Sequence, residues 1–233
     1  MKKRINIKVI TLISCSMLMW LSSIMTSSAQ ILEKNWTVEN VSPKLQINNN
    51  GDTLEIINPD GLTLWYNKPI KGNYEISYRV KMIMKGGVYD RLSDLNCFWG
   101  AKDTHNPDNL FARSKWRHGV FTNYNTLTLF YVGFGGNNNK TTRYRKYHGR
   151  YYGIDETKIR PLLQELSDTD HLLKPNVWYE IKIKVKGRNT TYSVNGEQFF
   201  KDKIKKGEGD GYFGLRLLKN HVLFTDFKIS SIK

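Results

Sequence analysis

Val177-Trp178-Tyr179-Glu180-Ile181-Lys182-Ile183-Lys184-Val185-Lys186 is the stretch that decides the fold. Val177, Tyr179, Ile181, Ile183 and Val185 alternate with Glu180, Lys182, Lys184 and Lys186, the period of a strand with one wet and one buried face. Gly187 to Asn189 turns the chain, Thr190 to Val194 returns, and Asn195-Gly196 is a two-residue hairpin signal before Glu197 to Phe200. Upstream, Tyr74, Ile76, Tyr78, Val80, Met82 and Met84 show the same alternation. Further strands are expected at 54–57, 62–65, 95–99, 127–134, 141–147, 212–218 and 222–232. Residues 31–50 should pack on as an edge, and 101–118 and 148–176 read as long loops of the kind that carry function. The best helical candidate is a short turn near 160–166. Many short strands separated by Gly, Asn and Pro predict an all-β fold, a two-sheet antiparallel jelly-roll sandwich.

The N-terminus reads differently. Lys2, Lys3, Arg4 and Lys8 precede an apolar stretch from Val9 to Met25, and Ser27-Ser28-Ala29 offers small residues for cleavage. Residues 1–29 are therefore expected to be a signal peptide, with 30–233 as a single β-sandwich domain. Leu12-Ile13-Ser14-Cys15 also has the pattern of a lipoprotein signal, and a tether at Cys15 is the rival reading. No segment is apolar enough for a good membrane span. Export to the periplasm or beyond follows from either reading.

Taking the 29-residue leader from the 233-residue chain leaves 204 residues, enough for one cored domain. The leader holds four of the 36 basic residues and none of the 21 acidic ones, so the mature net charge is about +11. Such a surplus calls for polyanionic company, and export argues against nucleic acid and for an acidic glycan. Cys97 is the one mature cysteine; set between Asn96 and Phe98, it reads as a buried thiol, and the domain is expected to be a monomer held by its core.

The densest chemistry runs from Arg117 to Tyr147. On a strand, Arg143 and Arg145 point to one face roughly 7 Å apart, suited to bidentate binding of carboxylate or sulfate. The preceding Gly133-Phe134-Gly135-Gly136-Asn137-Asn138-Asn139 supplies close backbone approach and amides for sugar hydroxyls. A lyase acting on uronates needs its carboxylate neutralised and a proton moved. Arg117, Arg143 and Arg145, assisted by Asn96 or Asn137, are the candidates for the first task, and Arg216 is a further candidate for binding substrate. Tyr124, Tyr131, His118 and His221 are the candidates for the second. A hydrolase would instead need two carboxylates, for which Glu165, Asp168 and Asp94 are the candidates. Glu165 and Asp168 are also the acids suited to calcium, although no metal motif is present. A non-catalytic glycan-binding domain would use the same Arg and aromatic face without a proton-transfer pair.

Asp94-Leu95-Asn96, Arg117-His118-Gly119, the block from Tyr131-Val132-Gly133 to Arg143-Tyr144-Arg145, and Phe213-Gly214-Leu215-Arg216 with His221 together resemble a secreted, poorly characterised family of polysaccharide-degrading bacteria. That family belongs to the concanavalin-like and galectin-like sandwiches, and the resemblance spans most of 35–233. It implies the fold, a glycan context and a site in the central block. The Arg-x-Glu-Leu-Arg and Gln-Ile/Val-His strand motifs of jelly-roll alginate lyases are missing, as is the Glu-x-Asp-x-Glu pattern of retaining β-glucanases.

Overall fold

In a computed structural model, residues 34–233 are described. The expected signal peptide, the alternative tether at Cys15 and the first three residues of the expected edge segment lie outside the described residues.

Twelve strands follow in order: β1 (Trp36–Asn40), β2 (Gln46–Asn50), β3 (Thr53–Tyr66), β4 (Tyr74–Met82), β5 (Leu95–Asp103), β6 (Leu127–Gly135), β7 (Thr141–His148), β8 (Leu162–Leu166), β9 (Trp178–Lys186), β10 (Asn189–Val194), β11 (Glu197–Lys203) and β12 (Tyr212–Ser231). All pairings are antiparallel. The ladder is continuous because β3 and β12 run through both layers side by side. The first half of β12 pairs with β5 and the second half with β4. One layer is therefore β2, the start of β3, the end of β12, β4, β9, β10 and β11. The other is β1, the end of β3, the start of β12, β5, β6, β7 and β8.

Alternation fills the space between the layers. Cys97, Trp99, Phe130, Val132, Phe134, Tyr144 and Leu215 from one layer meet Ile76, Tyr78, Ile181, Ile183, Tyr192 and Phe200 from the other in one buried cluster. Phe134 packs edge-on to Tyr179 at 5.1 Å, and Trp99 stacks with Tyr192 at 6.4 Å. The Trp99 indole N–H donates to Thr190 Oγ1 at 3.0 Å, so its one polar group is satisfied. The result is the two-layer antiparallel jelly roll of concanavalin-like sandwiches.

Several local expectations change. The segments 54–57 and 62–65 are one strand, as are 212–218 and 222–232, because the chain keeps its ladder while crossing between layers, with only a register shift between Leu218 and Asn220. The expected turn near 160–166 is instead strand β8, paired with β7. The loop expected from 101 begins after Asp103 and folds into short helical turns at Leu110–Arg113, Ser114–Arg117 and Phe121–Thr126. The edge expected over 31–50 comprises β1 and β2 in its described part.

Candidate functional site

The side chains that miss the core point to the outer face of the second layer, where pairing aligns them in rows. One row runs Thr63, Arg216, Asn96, Gly133, Arg143, Glu165 across β3, β12, β5, β6, β7 and β8. The adjacent row runs Trp65, Gly214, Phe98, Tyr131, Arg145. Tyr147, two residues past Arg145, shares this face.

Part of the face is roofed. Residues 104–126 fold over Trp65, Phe98, Leu129, Tyr131 and Tyr147, placing Leu110 and Tyr124 on them as a second small core. Arg117 fastens this roof. It is fully buried, reaches Glu39 through Nε and Nη2 (2.7 Å to Oε1), Asp103 through Nη1 (3.2 Å) and the Leu110 carbonyl at 2.6 Å. Tyr124 donates its hydroxyl to Glu39 Oε2 at 2.7 Å, and burial together with Glu39 pushes its pKa far up. Arg117 and Tyr124 thus lie inside the protein, with every charge answered, and not at a ligand surface.

The unroofed part is a groove of about 790 Å³. Asn96, Tyr131, Gly133, Asn137, Arg143, Arg145, Tyr147, Arg160 and Arg216 line it, with Val120 and Phe121 of the roof as one wall and Asp60 and Asp94 also facing it. Gly119, at φ +72°, presses so close to β1 and Gly61 that a Cβ would overlap their backbone. Its carbonyl thereby reaches into the groove and accepts from Arg216 Nη1 at 2.7 Å. Gly133 is required for a second reason: the Tyr131 ring lies over it and fills the space of a side chain.

The four groove arginines differ in their partners. Arg143 ion-pairs with Glu165 on the neighbouring strand, and the Asn137 amide oxygen, in its satisfied orientation, accepts from Arg143 Nη1 at 2.8 Å. Arg145 Nη1 donates to the Arg160 carbonyl at 2.7 Å, and Arg160 lies over Phe121. Arg216 is 2% exposed; among the described residues its partners besides Gly119 are a long contact to Thr63 Oγ1 at 3.4 Å and the ring faces of Phe121 and Tyr124. Among the described residues no carboxylate forms an ion pair with Arg145, Arg160 or Arg216. Burial pulls the Arg145 pKa down, and Arg143 and Arg160 add like-charge repulsion. Burial pushes the phenols of Tyr131 and Tyr147 up, while nearby arginines pull each back, so both are neutral donors at physiological pH. Asn96, opposite Arg216, has its Oδ1 buried with no hydrogen-bond partner among the described residues.

Two histidine candidates lie elsewhere. His118 is an exposed residue in the left-handed conformation that ends the Ser114–Arg117 turn. His221 bridges Asp90 (3.1 Å) and Glu55 (2.9 Å) away from the groove. Glu165 stands at the rim on Arg143. Asp168 binds His171 at 2.7 Å outside the groove, and Asp94 is held by Arg91 at 2.8 Å and by Ser93. Among the described residues no three His, Cys, Asp or Glu side chains gather as metal ligands, and no helix is long and apolar enough to cross a membrane. Sequence reasoning did not single out Arg160, Tyr147 or Asp60. Tyr147 was visible as the next same-face residue after Arg145, whereas Arg160 reaches the groove from a loop whose path carries no periodic signal.

Fold and groove together define a galectin-like, concanavalin-like sandwich. Residues 56–227 match the family described as Domain of unknown function (DUF6250), and the chain belongs to that family. No curated protein matches the sequence. Among solved structures, a protein of unknown function with galectin-like fold from Bacillus subtilis is similar at TM-score 0.64 and 16% identity, over 85% of this chain and 90% of that one. A glycoside hydrolase of family 16 from a Bacteroides ovatus mixed-linkage glucan locus, in complex with product, is similar at TM-score 0.54 and 13% identity, over 85% and 95%. The carbohydrate-binding module CBM66 from Bacillus subtilis is similar at TM-score 0.51 and 9% identity, over 84% and 96%. At these identities the likeness is one of fold.

Proposed function

We propose that this is an exported carbohydrate-active protein whose groove binds an acidic glycan and cleaves it by elimination. The observation that carries the reading is Arg216: a guanidinium almost wholly out of water, facing the groove, with no carboxylate among the described residues to neutralise it. Desolvating a charge costs several kcal/mol unless it is paired, and a fold keeps such a group where a ligand supplies the partner. A uronate carboxylate does so, and bidentate guanidinium contacts would draw charge from it and acidify the C5 proton. The fold likeness to a carbohydrate-binding module and a glycoside hydrolase supports a carbohydrate as the ligand.

The chemistry follows from the protonation states. The neutral Tyr131 phenol suits proton donation to the departing O4 oxygen. Of the two groove carboxylates, Asp94 is already held by Arg91, which leaves Asp60 to accept the C5 proton. The C5–H and C4–O bonds break, the C4=C5 double bond forms, and no redox partner is needed. A second reading, a binding domain without turnover, is favoured by the same phenols, both of which burial keeps as donors rather than bases.

Incubation with pectic, rhamnogalacturonan, ulvan, alginate and glycosaminoglycan substrates tests both. Ultraviolet absorbance of an unsaturated uronate should appear with one of them, and Tyr131→Phe should slow it by about 10²–10⁴-fold while leaving retardation in glycan-containing gels intact. Retardation without absorbance would establish the binding reading. Neither signal on any acidic glycan would refute the assignment.

A further inference from the structure

Resting on that reading, we infer that the groove is built for a glycan segment carrying two acidic groups, not one. Four guanidiniums line it, and Glu165 answers that of Arg143. Asp94 is answered by Arg91, which leaves Asp60 as the one groove carboxylate not ion-paired to a cation. The groove therefore holds a surplus of two positive charges. One acidic group would still leave an uncompensated guanidinium in a confined, partly desolvated space, and two would close the balance.

The layout gives both charges a place. Arg216 stands on β12 and Arg143 on β7, three strand spacings away across β5 and β6, about 14 Å between backbones. Arg145 joins the Arg143 side from the next row, and Arg160 reaches in from the loop before β8. Between the two sides lie groups that read neutral sugar atoms, with Asp94 beside them already neutralised by Arg91. The buried Asn96 Oδ1 accepts from a hydroxyl, and the Tyr131 phenol, lying over Gly133, donates to an oxygen. Two acidic groups flanking hydroxyl-bearing ring atoms describe adjacent uronates, or a uronate next to a sulfated sugar.

Titration calorimetry with disaccharides of one length carrying no, one or two carboxylates tests the inference, with a sulfated uronide as a fourth ligand. The two-acid ligands should bind at least about tenfold tighter than the one-acid ligand, with a steeper loss of affinity on adding salt. Arg160→Ala, at a half-buried residue whose guanidinium lies over Phe121 at the groove wall, should erase most of that difference. Equal affinity for one-acid and two-acid disaccharides would overturn the two-charge inference and leave the acidic-glycan reading standing. Failure of every anionic ligand to bind would overturn both.

Discussion

Arg117 and Arg216 allow a direct test of the electrostatic argument, because both are almost fully buried and only one is neutralised. Replacing each by Met keeps a long apolar stem and removes the charge. At Arg117 the change strands Glu39, 2% exposed, without its counter-ion, and leaves Asp103, 1% exposed, only the longer contacts to Arg113 at 3.8 Å and His105 at 3.7 Å. Breaking a buried pair from one side costs about 3–5 kcal/mol. For a domain of this size each kcal/mol moves Tm by about 2–4 °C, so Arg117→Met should melt roughly 6–20 °C lower. At Arg216 the change strands one carbonyl, that of Gly119, at about 1–3 kcal/mol. It also removes a desolvated charge that no carboxylate offsets, a gain of similar size. The two effects nearly cancel, and Arg216→Met should melt within about 4 °C of the parent. Paired thermal and urea melts of the two variants provide the comparison, and the Arg216 variant should in addition lose the stabilisation given by an acidic oligosaccharide. If Arg216→Met falls as far as Arg117→Met, its guanidinium is satisfied within the folded protein and the case for a groove awaiting an anion fails.

Three further outcomes follow from named contacts. Glu165→Gln should free Arg143 from its ion pair and tighten binding of an acidic oligosaccharide several-fold, read by calorimetry at low salt. Burial pushes the Cys97 thiol up to about 12, so an aromatic disulfide reagent should react with it only after denaturant unfolds the sandwich. The hydrogen bond that His171 Nδ1 donates to Asp168 raises the His171 pKa and lowers that of Asp168. The pair should therefore stabilise the fold between about pH 4 and 6.5, fading as acid protonates Asp168 and as rising pH passes through the raised value of His171. The Tm gap between parent and His171→Gln should be widest in that window and narrow on either side.

How far the sequence could be read depends on whether the deciding interaction is local. The β9–β10–β11 meander was legible because alternation and the Asn195-Gly196 turn specify it within the segment itself. The long strands β3 and β12 looked like pairs of short ones, since Gly61 and Lys219-Asn220 carry turn chemistry, and only their pairing with each other keeps them extended through those points. The mostly exposed β8 has no alternation to show, and its strand state comes from β7 beside it. The common face of Arg143 and Arg145 was likewise legible from period two.

The two buried arginines mark where such reading stops. Nothing around Arg117 or Arg216 in the chain tells one from the other. Their roles are set by Glu39, 78 residues before Arg117, and by Asp103, which reach the first and not the second. The neutralised arginine also governs the other. Arg117 pins the Ser114–Arg117 turn to β1 and β5, the chain leaves that turn through Gly119, and the Gly119 carbonyl is the protein's own short hydrogen bond to Arg216. A saturated ion pair beneath the roof therefore positions an unsaturated cation in the groove. Weakening the first should disorder the second before it unfolds the sandwich, because the roof packs on its own small core of Trp65, Phe98 and Tyr124, separate from the one between the sheets.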